Sequence, residues 1–209
     1  YAVGAEAFEA SLKRHNDDAP TWLDLGRCYE ALGRIDEAVH AAKTALRIDA
    51  TIPGIHTELA KLHEKGGRRE EMLEALEASV KQKPEDSQAL QKIAVAYDAL
   101  GKDTEAVQAL ERALQADPSQ FALRRRLAAL YKKVGRNADA AAQLQRIEDA
   151  GHADGEALYE LVGLRLALGE RTEALRVARK AAELARDDER AMRTLANLTP
   201  QPESVPINA

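Results

Sequence analysis

A single cysteine, Cys28, occurs in 209 residues, which excludes an internal disulfide framework and cannot by itself build a structural zinc site. Aromatic residues make up only 4% of the chain, too few to offer a run of stacking partners to a nucleic acid. There is no excess of base: 30 Lys and Arg stand against 35 Asp and Glu, a net charge of −5 with a pI near 5.6. That balance argues against a general nucleic-acid or membrane-surface binder. No run approaches the roughly 20 apolar residues of a membrane helix, and no charged–apolar–small signal segment opens the chain. Tyr1 is not an initiator, so upstream sequence is expected, and targeting information with it.

What the chain does have is alanine, leucine and a period. It is 45% hydrophobic and 31% charged, and Ala and Leu carry most of the apolar content, which suits closely packed helices. Gly33, Gly67, Gly101, Gly135 and Gly169 follow one another at a constant 34 residues, the mark of a repeat array. In such an array each unit touches only its neighbours, so one elongated domain is expected. With the glycine numbered 15, positions 4, 7, 8 and 11 fall on one helical stripe and 20, 24 and 27 on another. Small residues at 8 and 20 let two helices, A and B, approach closely. Glycine 15 ends helix A in the left-handed region, and Asp36, Asp103, Asn137 and Thr172 are expected N-caps for helix B. Pro84 and Pro118 stop helix B.

The pattern resembles the tetratricopeptide repeat (TPR). The first unit supplies Trp22, Leu25, Gly26, Tyr29, Ala38, Ala42 and Ala45, and the third Leu90, Ile93, Ala94, Tyr97, Ala106, Leu110, Ala113 and Pro118. The resemblance implies an all-α fold, a right-handed α-solenoid of about five TPR units. Residues 1–18 are then a half repeat, helix B of an incomplete unit. The five units are 19–52, 53–86, 87–120, 121–154 and 155–188. Residues 189–198 form a capping helix and 199–209 a flexible tail. Departures from the pattern, His56 and His63 in the second unit, Arg124 and an early stop at Gly151 in the fourth, and Arg165 in the fifth, predict weaker packing there. Val3, Phe8 and Leu12 are expected to form an uncovered apolar stripe on residues 3–14 through which copies of the chain associate.

The opposite face of each A helix would form the inner wall of the superhelix, the surface that repeat arrays use for binding. It is expected to present Arg27, Lys61, Lys92, Arg125, Arg126, Lys132, Lys133 and the exposed aromatic Tyr159. No acid occurs between Asp117 and Asp139, whereas Arg124, Arg125, Arg126, Lys132, Lys133 and Arg136 are cationic. Either this is a solvated charged face or it seats an acidic segment or a peptide C-terminus through paired arginine–carboxylate hydrogen bonds. The carboxylate clamp by which some TPR proteins grip chaperone tails does not match. Units one to three place Leu23, Arg27, Glu58, Gln88 and Lys92 at its positions.

No catalytic, cofactor or metal constellation is expected. His56 and His63 share a helix face but occupy packing positions with Ala60 between them, and Cys28 reads as a buried small residue. The reading is a non-enzymatic protein–protein interaction scaffold or adaptor, cytoplasmic, with a protein or peptide partner. Its alternatives are a TPR targeting arm of a larger enzyme, such as a glycosyltransferase, and a nucleic-acid binder acting through the fourth unit. A periplasmic or membrane-tethered placement stays open.

Overall fold

A computed structural model describes residues 1–184 and 189–199. The expected tail lies, beyond Thr199, outside the described residues. Within them the chain forms twelve helices and no strand: α1 (Ala2–Leu12), α2 (Ala19–Ala31), α3 (Ile35–Ile48), α4 (Ile55–Lys65), α5 (Arg69–Gln82), α6 (Ser87–Ala99), α7 (Asp103–Ala116), α8 (Phe121–Lys133), α9 (Asn137–Asp149), α10 (Gly155–Ala167), α11 (Arg171–Leu184) and α12 (Glu189–Leu198). From α2 onward the even-numbered helices are A helices and the odd-numbered ones B helices. They fall into two compact units, Tyr1–Lys102 and Asp103–Ala209, and the division cuts the A–B turn of the third repeat.

Each A–B turn is built the same way. Gly101 has φ 71°, where an L side chain is strained, and the next amide, Lys102 N–H, donates back to the Tyr97 carbonyl at 2.9 Å. The same bond closes the turns at Arg34, Arg68, Arg136 and Glu170. The turn delivers the chain straight into helix B, and the expected side-chain caps are not used. Asp36 lies inside α3, Asn137 is the first residue of α9, and the N-cap residues Arg34 and Arg136 make no side-chain cap bond. Asp103 and Thr172 likewise fall within α7 and α11. Side-chain capping appears instead on A helices, where Asp86 accepts from Ala89 N–H at 3.0 Å and Asp154 from Ala157 N–H at 2.8 Å.

Small residues set the A–B spacing. Ala38, Ala106, Ala140 and Ala174, all at position 20, are fully buried. A Cβ on Gly26 would lie 3.4 Å from both the Ala38 carbonyl oxygen and the Ala41 Cβ. Leu25, Leu59, Leu127 and Leu161 at position 7, with Leu76, Leu110 and Leu144 at position 24, fill the space left. Each such leucine contributes about 1.5–3 kcal/mol by leaving water. Two expectations change here. Leu12 and Ala5 of α1 are buried against the helices that follow, so the stripe is not an uncovered face; Val3 is exposed and Phe8 half-buried. Arg124, also buried, donates to the Pro118 carbonyl at 2.7 Å and to Gln143 Oε1 at 3.1 Å.

In four of the five repeats a polar link joins the A helix to the B helix before it. The Tyr29 hydroxyl donates to Glu9 at 2.7 Å, Tyr131 to Glu111 at 2.5 Å, and Tyr97 to Glu77. All three join position 11 to position 25 of the preceding repeat. Arg34, Lys102 and Arg136 lie over the same three rings. In the fifth repeat Arg165 makes the link to Gln145 at 3.1 Å. The second repeat lacks it. His63 is buried with Nδ1 unpartnered, and position 25 holds Lys43. Burial, then Lys43, push the His63 pKa down against the pull of Glu71 and Glu74. The fold therefore holds a neutral imidazole. Stability is intact above the ordinary histidine value of 6.5 and is lost as pH falls through the depressed folded value.

Replacing the mismatch tests this. The double variant His63→Tyr, Lys43→Glu should gain about 1–2 kcal/mol over the parent, more than the two single variants together, and lose its sensitivity to mild acid. Thermal melts at pH 7.5 and pH 5.5 read both effects. Strictly additive single effects would show that no link had formed.

Candidate functional site: the A-helix face and its ion pairs

The exposed side of the A helices carries the charges singled out in sequence, and nearly all are paired. In the first compact unit Arg27 meets Asp24 at 2.9 Å and Lys61 meets Glu58 at 3.5 Å, both within one helix. Lys92 of α6 reaches Glu64 of α4 at 2.6 Å. In the second unit Arg125 reaches Asp154 at 2.7 Å, Lys132 reaches Glu160 at 3.1 Å and Lys133 reaches Asp103 at 2.6 Å. Arg126 is half-buried and also engaged. The stretch without acids is real in sequence, but neighbouring helices lend it carboxylates.

These pairs follow the repeat. Glu64 with Lys92 and Lys132 with Glu160 each join position 12 of one repeat to position 6 of the next, 28 residues on, with the charges exchanged. Asp154 serves twice, capping α10 and holding Arg125. The Ala157 N–H, opposed by burial and helped by Arg125, keeps its carboxyl below the usual range. Exposed pairs of this kind contribute at most about 1 kcal/mol each, so they are exchangeable.

Tyr159 is a correction. It was expected as an exposed aromatic, but it is 9% exposed, with the Arg190 guanidinium of α12 4.8 Å from its ring centre. The capping helix covers the face that position 5 would otherwise show.

The most strongly held charge was not foreseen. Glu148 of α9, 2% exposed, accepts from Arg176 at 2.7 and 2.9 Å, Lys180 at 3.1 Å and Gln145 at 2.7 Å. Arg176 foremost, against the cost of burial and with help from Lys180 and Gln145, lowers its pKa to about 2. Its sequence signal was a carboxylate at position 28, where the first repeat has Leu46 and the third Leu114. Among the described residues no group of three or more His, Cys, Asp or Glu side chains is placed to hold a metal ion. No described helix is long and apolar enough to cross a membrane.

Residues 1–161 match the family of the cilia and flagella-associated protein 70 C-terminal domain, a TPR family. This chain belongs to that TPR family. No curated relative matches it in sequence. Among solved structures, YrrB, a TPR protein with an unusual peptide-binding site, is similar over 90% of this chain and 97% of its own, at 18% identity and TM-score 0.62. MamA is similar over 80% of this chain and 92% of its own, at 20% identity and TM-score 0.61. The Naa15/Naa10 complex bound to HypK-THB contains a chain similar over 93% of this one, at 22% identity and TM-score 0.70, this chain spanning 31% of that one. At these identities the likeness is one of fold: an all-α helical repeat solenoid of the TPR kind.

Within this TPR chain Glu148 should dominate acid behaviour. A carboxylate whose folded pKa is depressed stabilises above its ordinary value of 4.5 and loses that contribution as pH falls from there to about 2. Glu148→Gln should cost on the order of 2–3 kcal/mol at pH 7, with the difference from the parent shrinking by pH 3. Urea unfolding at the two pH values measures it. A cost unchanged at pH 3 would make the loss one of packing rather than charge.

Proposed function

We propose that the chain is a protein–protein interaction scaffold without catalytic chemistry of its own, and that α8 seats an acidic segment of a partner polypeptide. The observation that carries the proposal is the composition of α8. It contributes Arg125, Arg126, Lys132 and Lys133 and no carboxylate, and the acids that pair three of these four come from outside the helix. A partner presenting several carboxylates on one strand would replace Asp154, Glu160 and Asp103 pair for pair. Exposed ion pairs exchange at little cost, and an arginine accepts the newcomer in two-bond geometry. That YrrB, similar in fold, is a TPR protein with a peptide-binding site supports the reading of a polypeptide partner. Lys92, Lys61 and Arg27 lie in the other compact unit and are not part of this seat.

The proposal has a direct test. A Glu-rich peptide titrated into the chain should shift the backbone amide resonances of α8 and weaken with added salt. Arg125→Glu with Lys132→Glu should abolish the shifts without changing the helical circular dichroism. Shifts that survive the reversal, or that spread evenly over both compact units, would overturn the acidic-segment reading. An affinity indifferent to salt would do the same.

A further inference from the structure

The first repeat contains an open cavity of about 490 Å³ between α1, α2 and α3. Leu12 and Leu25 floor it, and Trp22, Tyr29 and His40 wall it, with Trp22 edge-on to His40 at 6.2 Å and 79°. Its rim holds three carboxylates, Glu9, Asp36 and Glu37, against one ammonium, Lys13. Glu37 is paired with Arg34 and Asp36 with Arg68. Glu9 differs. Its carboxylate accepts from the neutral Tyr29 hydroxyl, and Arg34, which lies over that ring and feels the Glu9 charge, gives its hydrogen bonds to Glu37 instead.

The equivalent groove in later repeats shows what it accommodates. In the fifth repeat, Arg176 at position 22, where the first has His40, lays its guanidinium on Gln145 and Glu148. Those two stand at positions 25 and 28, where the first repeat's groove has Glu9 and Leu12. In the fourth repeat, Arg124 at position 4, where the first has Trp22, is buried and bonded to the Pro118 carbonyl and Gln143. Each of these repeats thus lays an arginine of its own against the groove. The first has an anion at position 25, as the fourth has Glu111, and carries no arginine at position 4 or 22.

We infer that this cavity receives an arginine side chain of a partner polypeptide, its guanidinium on Glu9 and its aliphatic stem against the side chains of Trp22 and Leu25. The stem removes apolar surface from water, and the cation is drawn to both the aromatic faces and the carboxylate. This site is distinct from the α8 seat and takes the opposite charge, so the two stand or fall separately.

Trp22 is the chain's one tryptophan, so its emission reports on this cavity. The chain is titrated with N-acetyl-arginine amide, with the citrulline analogue of nearly the same shape and no charge, and with N-acetyl-norleucine amide. A saturable change with arginine alone is expected. Glu9→Gln should weaken it roughly tenfold. Because that variant also alters the Tyr29 bond, Asp36→Asn and Glu37→Gln serve beside it, each weakening arginine less than Glu9→Gln does. His40→Arg should fill the groove from within, as Arg176 does, removing the response while raising the melting temperature. Equal binding of citrulline or norleucine overturns the inference, leaving a plain apolar pocket. So does an arginine response unchanged in Glu9→Gln, or none at any soluble concentration.

Discussion

The close approach of helix A to helix B is the constraint on which every repeat depends. At position 20 an alanine has no accessible surface in four of the five repeats, and a methyl group on Gly26 would already touch the facing helix. That contact fixes the angle between the two helices. The buried leucines of positions 7 and 24 fill the space around it. It also forces the turn to reverse the chain within three residues, and a left-handed glycine is the inexpensive way to do so.

Between repeats the binding is of another kind. Apolar burial holds successive repeats together without specifying how they slide, because it is not directional. Direction comes from polar links. The tyrosine–glutamate bond from position 11 back to position 25, with a basic residue over the ring, pins each A helix against the previous B helix. Where it is absent, at His63 and Lys43, the contact rests on packing alone. Where it is replaced, at Arg165 and Gln145, the neighbouring Glu148 cluster adds a charge network.

Most of what depends on one repeat was legible in the sequence, the helix B caps excepted. The glycine spacing gives the turns, the prolines give the ends of α5 and α7, and the small residues give the core. Whatever depends on the next repeat was not. The acids that neutralise α8 stand 28 to 30 residues from their partners, invisible without the packing of adjacent helices. Leu12 looked bare because no helix precedes it, yet it faces the helices that follow. Tyr159 holds a wall position, but α12 lies over that wall. The Tyr–Glu links did leave a trace: Glu9, Glu77 and Glu111 each precede a tyrosine by 20 residues, a second period laid over the first.

The exchanged charges at positions 12 and 6 make the order of the repeats matter. Glu64 meets Lys92, and Lys132 meets Glu160. A deletion that removed exactly the third and fourth repeats would keep the reading frame, the glycine period and the apolar core. It would also set Glu64 against Glu160. A recombination event that joined the fourth repeat to the third would face Lys132 with Lys92. Arrays of near-identical units are prone to such losses and shuffles during replication, and here each carries an electrostatic cost. The ion pairs add little to the strength of the array, and at these two junctions they tell one neighbour from another.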